Sequence, residues 1–447
     1  MLKPLSFNGK ALVRTIDSDG YTIPHEFRIS WTPTYYDSPS SIEPVYFNVA
    51  TVYFANGQSK TFKSNQGPIT HVNTVEAYGS EITSIDFLDS QYLDTIDFVS
   101  NYYVTPTESL LSGTKTLRTF YGNMSMSGNT SAKNMFSNCY NLGGTTTSQG
   151  VSGLKDCSGL TTLEGMFSDC YKYYDSSSSP SHHEFYFNTV FDSLESVTSM
   201  KSMFSGCTHL GQVTLRKSDG LDTPNLTDTS YMFYGTDLGD IDSDHGSSSS
   251  DLSGLNMSNV TDTSYMFGSC NTRGWLDIKW DTHNVRNAQG MFAGSSITVY
   301  GTSNFSYCDF SSVTNMSRYL SSCTSLISPT LRHFENGDSL VDVSYMFNNC
   351  TRMTSVVPGF VGASITNMSY MFNGCSALTY IDFSRLSLTG TPTMTDMFKG
   401  CSSLEQILLP RNVTTNTLNI IKGRVQTDVG GTWTATTGSS FTYLNKE

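Results

Sequence analysis

The chain has 447 residues, with 26 Lys and Arg against 39 Asp and Glu, a formal net charge of −13. That balance excludes a nucleic-acid binder, which would need a basic stripe to meet phosphates, and the sequence has none. Only 15% of residues are charged while 12% are aromatic, so the polar surface is not that of a disordered polyelectrolyte. Such a weakly charged, Ser-, Thr-, Asn-, Gly- and Tyr-rich surface suits fibres and adhesins. No run of 18 apolar residues occurs, so no transmembrane helix is expected. Residues 1–10 lack the apolar run of a secretory signal, and the first cysteine, Cys139, is too late for a lipid anchor. The expectation is either a missing leader or export within a particle assembled in the cytoplasm.

Residues 1–79 follow no repeat. Runs at 11–15, Glu26–Trp31, 46–54 and 60–62 are β-prone, with Gly, Pro and Asp between them. They predict a small β-rich domain suited to attachment. Ile82–Phe87 and 93–98 both end in Ile-Asp-Phe and read as degenerate first coils of the next region.

One phrase then recurs ten times, with a Met-Phe pair or its substitute at 135, 166, 203, 232, 266, 291, 319, 346, 371 and 397. Self-similarity at such a period marks a solenoid. In the copy at 367–383, Met368, Met371, Phe372, Cys375 and Leu378 fall at i, i+3, i+4, i+7 and i+10, which predicts a short helix ending near Gly374. Ile381 and Phe383 alternate with Tyr380 and Asp382, which predicts a strand. The expected fold class is therefore α/β: a solenoid of about ten helix–strand coils over 80–410. Asn, Ser and Thr ahead of each pair read as helix caps, which also accounts for the Asn-x-Ser/Thr triplets at Asn225, Asn259, Asn315, Asn349 and Asn367. Tyr319-Leu320 replaces Met-Phe, and Thr236 and Ser295 replace the repeat cysteine, so stacking should be imperfect there. Ser/Gly/Asp-rich insertions at 145–150, 176–181 and 243–250 read as projecting loops. The tail, 411–447, turns to Thr, Gly and Val with Trp433, Phe441 and Tyr443, and predicts a short β cap over the last coil.

The phrase Met-Phe-x-x-Cys-x-x-Leu-x-x-Ile, preceded by Asn-Val/Met-Thr/Ser, resembles the BspA-like class of leucine-rich repeats over residues 80–410. That class occurs in bacterial surface proteins, including mycoplasma lipoproteins, and in proteins of gut bacteria and their phages. The resemblance implies a right-handed leucine-rich-repeat solenoid with a binding or adhesive role.

Eight cysteines (139, 170, 207, 270, 323, 350, 375 and 401) share one repeat column and should be buried fillers, since no Cys-x-x-Cys gathers metal ligands. Cys157 and Cys308 lie outside the column and are better placed to react or pair. Asp240, Asp242 and Asp244 alternate and Asp251 falls at loop position twelve, an approximate calcium loop. His245 stands where that loop wants glycine, so a solvated acidic loop is the plainer reading, and no other cofactor is implied. His182 and His183 lack a second ligand pair and read as surface residues. Trp275, Trp280 and the cluster Tyr171, Tyr173 and Tyr174 are candidate surface anchors for a sugar ring or a protein partner. Gly-x-Ser-x-Gly, His-Glu-x-x-His, phosphate-loop and dinucleotide signatures are absent.

These features lead to the expectation of a non-enzymatic binding or structural protein on the surface of a virion. It would be a bacteriophage fibre or decoration protein, docked on other virion proteins through residues 1–79 and meeting a host cell-surface glycan or protein. The alternative is a bacterial cell-surface adhesin; a carbohydrate-active enzyme is a third reading, since paired carboxylates can assemble in space. Assembly as a homo-oligomer would suit a fibre, although no heptad region enforces it.

Overall fold

The computed structural model describes the backbone of strands lying between residues 5 and 125. With side chains it describes 108–109, 111–113, 117, 119–120, 125–143, 150–172, 183–238, 250–271, 280–296, 309–331, 339–358, 364–386, 388, 390–410 and 413–447. The chain divides into two compact units, Met1–Asn225 and Leu226–Glu447.

The first unit opens with a ten-stranded sheet. Its strands are β1 (Leu5–Phe7), β2 (Lys10–Arg14), β3 (Glu26–Trp31), β4 (Asn48–Phe54), β5 (Ser59–Lys63), β6 (Ile69–Asn73), β7 (Ile82–Phe87), β8 (Leu93–Thr105), β9 (Thr119–Ser125) and β10 (Leu154–Lys155). The main path runs β10-β9-β8-β2-β1-β7-β4-β5, with β3 joined to β6 and β8. The Ile-Asp-Phe runs belong to this sheet: β7 pairs with β1 and β4, and β8 with β2, β3 and β9. From β8 to β10 the pairing is parallel, as expected of a chain that returns in the same direction once per coil.

The coils themselves are built from turns. In the copy at 367–383, the N–H groups of Met371, Asn373, Cys375 and Leu378 donate to carbonyls three residues back at 3.1–3.3 Å. The alternate N–H groups, of Met368, Tyr370, Phe372 and Gly374, donate instead to Thr393, Thr395, Met397 and Lys399 of the next coil at 2.8–2.9 Å. An α-helix would send every N–H to the carbonyl four residues back in its own segment. The short repeat helices predicted from the spacing do not form, and the helix–strand leucine-rich-repeat solenoid of ten coils is not the fold. Among the described residues two α-helices occur, α1 (Phe187–Val190) and α2 (Thr415–Val429), and neither lies on a Met-Phe phrase.

The cause is conformational. The residue before each Met position is left-handed in all ten copies, from Asp396 at φ +48° to Arg318 at +61°. The residue before each Cys position is left-handed too, from Ser269 at +52° to Gly400 at +82°. A left-handed residue at every fourth position forbids a right-handed helix. The same turns still aim the apolar column inward, and Met368, Met371, Phe372, Cys375 and Leu378 are all 0% exposed. Polar residues ahead of each Met-Phe pair do not cap helices. Asp228, Asp262, Asn287, Asn315, Asp342 and Asn367 accept the N–H two residues on at 2.8–3.2 Å, closing Asx turns.

Stacking buries a row of rings in each unit. Phe136, Phe167 and Phe204 stack in the first unit at 5.3 and 5.6 Å; Phe347, Phe372 and Phe398 stack in the second at 5.5 and 6.0 Å. At the departure Tyr319-Leu320 the row turns, with Tyr319 edge-on to Phe292 at 87° and still buried. Parallel strands also form between coils: β11 (His183–Tyr186) beside β12 (Leu210–Thr214), and β13 (Ser355–Val356), β14 (Tyr380–Asp382) and β15 (Gln406–Pro410) side by side. The tail forms β16 (Trp433–Thr437) and β17 (Phe441–Lys446), and β17 pairs antiparallel with β15, closing its edge. It also contains the 15-residue α2, which the expectation of a purely β cap missed. Thr414 caps α2 by accepting from the Thr417 N–H, Thr417, Ile421 and Val425 are buried, and Asp428 accepts from the Phe398 N–H at 3.0 Å.

Candidate functional site

The repeat cysteines are structural donors. The thiols of Cys170, Cys207, Cys350, Cys375 and Cys401 each point at a carbonyl of the preceding coil, 3.0–3.1 Å away. Burial pushes the thiols of Cys270, Cys323 and Cys375 up to about 12, so they stay protonated and unreactive. Ser295 fills the same column with its hydroxyl on the Phe292 carbonyl at 2.7 Å. Cys157, singled out as a reactive candidate, is buried and free, and burial together with the Asp192 carboxylate raises it to about 12. Cys308 lies outside the described residues.

Of the aromatic anchors expected from the sequence, Tyr171 is fully buried against His183, with ring centroids 5.4 Å apart. Trp280 is 6% exposed, stacked on Phe267, with its indole N–H on the Leu252 carbonyl at 3.4 Å. Both pack the interior, because each coil needs large side chains to fill its width. Tyr173, Tyr174 and Trp275 lie outside the described residues, as do Asp240, Asp242 and Asp244 of the acidic loop. Asp251 is described, and its carboxylate accepts the Ser253 N–H at 3.0 Å, closing a turn. His183, expected at the surface, is buried in β11, while His182 lies outside the described residues. Among the described residues no three His, Cys, Asp or Glu side chains form a group able to hold a metal ion. No helix among them is long and apolar enough to cross a membrane.

The face that stands out is the left-handed column before each Met position in the second unit. It reads Tyr231, Tyr265, Gly290, Arg318, Tyr345, Tyr370 and Asp396, one per coil. Each backbone N–H from Tyr231 to Tyr370 donates to the next coil at 2.8–2.9 Å, so the side chains stand in register. Tyr231 and Tyr265 stack at 5.0 Å and 18°, and Tyr345 and Tyr370 at 4.6 Å and 12°. Gly290 makes room for this row: a Cβ there would overlap the Tyr265 ring. The Arg318 guanidinium lies 4.2 Å from the Tyr345 centroid, and Arg318 is exposed. Tyr234, 36% exposed, packs beside Tyr231 and Tyr265.

Next to this stripe the Asx row is internally satisfied. Asn287 donates to Asp262 at 3.1 Å, Asn315 to Asn287 at 3.2 Å and Asn367 to Asp342 at 3.3 Å, which fixes the backbone that carries the rings. Burial, then the neighbouring Tyr265, Tyr234 and Asp262, raises the Tyr231 hydroxyl, so it remains a donor. A bulky residue in the left-handed region costs roughly 1 kcal/mol, so these tyrosines sit where Asn or Gly would be more stable. The sequence did carry the signal: Tyr231, Tyr265, Tyr345 and Tyr370 each stand directly before a Met. These residues are spread one to a coil, so they form no cluster in the sequence as Tyr171, Tyr173 and Tyr174 do.

Stacked turn coils with a capped end define a repeat protein. Residues 130–243, 189–305, 236–333 and 296–411 match the family described as "Mycoplasma protein of unknown function, DUF285". The matches together span more than half of the chain, and the chain belongs to that family. No curated protein matches it, and no solved structure does.

Proposed function

We propose that this repeat protein is a non-enzymatic attachment protein that displays its coils toward a host cell surface and binds a glycan or protein there. The stripe from Tyr231 to Tyr370 carries this reading, because its four tyrosines, half-buried and outside the fully buried core, are held in two stacked pairs at a strained backbone position. Many modest contacts along the coils would be multiplied by avidity when several copies share one particle.

The finer reading is a bacteriophage fibre or decoration protein on the virion surface. The ten-stranded sheet, unlike the coils in build, supports it as a docking module for other virion proteins. A bacterial cell-surface adhesin is the second reading, favoured by the family's description as proteins of a cellular organism. Mass spectrometry of gradient-purified phage particles and of washed envelopes from the source culture separates them. Stoichiometric presence in particles supports the virion protein, and recovery from envelopes alone supports the adhesin. Absence from both removes the attachment reading, and release of reducing sugar from host polysaccharide would contradict its non-enzymatic part.

A further inference from the structure

We infer that the face bearing Tyr231, Tyr265, Arg318, Tyr345 and Tyr370 takes an acidic polysaccharide, laid along the coils with a sugar carboxylate on Arg318. This deepens the attachment reading and rests on it.

Arg318 selects the charge of the ligand. It is an exposed cation on a chain of net charge −13, yet it forms no ion pair among the described residues. Two acidic groups of this region, Asp342 on the next coil and Asp396 three coils on, are held by other partners. Asp342 accepts from the Ser344 N–H at 2.8 Å and from Asn367 at 3.3 Å, and Asp396 pairs with Lys399 at 3.0 Å. Stacking on Tyr345 uses the face of the guanidinium and leaves its in-plane N–H donors, a fork that fits a carboxylate.

The rings select the rest. Their faces are turned on one another at 4.6–5.0 Å within each pair, so what they offer is two pairs of ring edges and hydroxyls, Tyr231 with Tyr265 and Tyr345 with Tyr370, separated by Gly290 and Arg318. That pitch is close to the spacing of strands and to the advance of successive pyranose rings in a polysaccharide. A protein partner would instead need a pocket for an apolar anchor, and ring faces already stacked provide none. A linear polyhydroxyl chain with intermittent carboxylates matches both the tyrosine pairs and the cation between them.

The test uses the full chain and two probes, an oligogalacturonate octamer and the same octamer with its carboxyls reduced to alcohols. The expected result is binding of the acidic octamer at least tenfold tighter than the reduced one. Arg318→Gln should lose that tenfold preference, affecting the acidic octamer far more than the reduced one, and Arg318→Lys should restore part of it. Tyr345→Asn with Tyr370→Asn should weaken both probes. Equal affinity for the two octamers, no binding of either, or an unaltered Arg318→Gln overturns the inference. Cell attachment separates this failure from that of the parent reading. Wild-type attachment that survives Arg318→Gln, or that protease treatment of the cells abolishes, overturns the acidic-glycan ligand and leaves attachment standing. Failure of the wild type to attach overturns attachment itself.

Discussion

Coils of the first and second units share one backbone but use it differently. Before the Met position the first unit has Asn134, Gly165 and Ser202, whereas the second has Tyr231, Tyr265, Gly290, Arg318, Tyr345, Tyr370 and Asp396, all left-handed. Asn and Gly are what the conformation itself favours. The tyrosines and the arginine are not, so their presence points to a demand made on the side chains. The row that closes each turn differs as well. Ser131, Thr162 and Ser199 accept the N–H two residues on at 3.2–3.3 Å, while the Asx residues of the second unit accept at 2.8–3.2 Å and bond across coils. Turns with side-chain bonds across coils accompany the unit that carries the aromatic stripe. The buried column, by contrast, is common to both, with Thr236, Ser295 and Tyr319-Leu320 as its departures in the second unit.

That shared column gives the largest predicted effect. The buried thiols have folded values raised by burial, so their contribution to stability is complete below the ordinary thiol range and is lost as pH rises toward about 12. Thermal melts should fall steeply above about pH 9 in both units, with thiol reagents entering only as the coils open. A melting temperature flat to pH 11 would contradict the burial of the thiols. Next, Phe167→Ala and Phe372→Ala should each cost about 3–5 kcal/mol in denaturant unfolding, because each ring is stacked on both sides. A cost below about 1 kcal/mol in either unit would break the claim of a common core.

The left-handed column should respond more mildly. Asn134→Val and Tyr345→Val should each lose about 1–2 kcal/mol, since a β-branched residue suits that conformation worst. Equal stability of valine and asparagine at either site would argue against the turn geometry. The smallest effect belongs to Asp192, found in the first unit. Burial pushes its carboxyl up, but the N–H groups of Cys157 and Asp156 outweigh this and hold it below the usual value. Its contribution is therefore present above the unfolded carboxylate value and is lost as pH falls through the folded one. Asp192→Asn should change acid unfolding of the first unit by only a few tenths of a kcal/mol, because the group is largely solvent-screened.

The sequence made the repeat, the buried column and the N-terminal strands legible, because apolar spacing and β-prone runs report burial directly. It misled on the coil's local structure. Met368, Met371, Phe372 and Cys375 at i, i+3, i+4 and i+7 fit a helix face, and the same residues also line the inside of a turn ladder. The distinguishing signal lay in the residues between them. No Val, Ile or Thr stands before a Met or Cys position, and Asn, Asp, Gly and Ser fill the second column, as left-handed sites require. Helix α2 was missed because Thr417, Ile421 and Val425 form a thin apolar stripe in a Thr- and Asn-rich segment. The candidate site was missed for another reason: its residues are close only after stacking, one from each coil.

The most direct test replaces Tyr345 and Tyr370 by asparagine together and measures melting temperature and attachment to host cells on the same preparation. Stability that is unchanged or raised, with attachment reduced at least tenfold, is the predicted result, since asparagine relieves the backbone and removes the rings. Attachment at the wild-type level by a variant of undiminished stability would contradict the claim that the stripe is the working face.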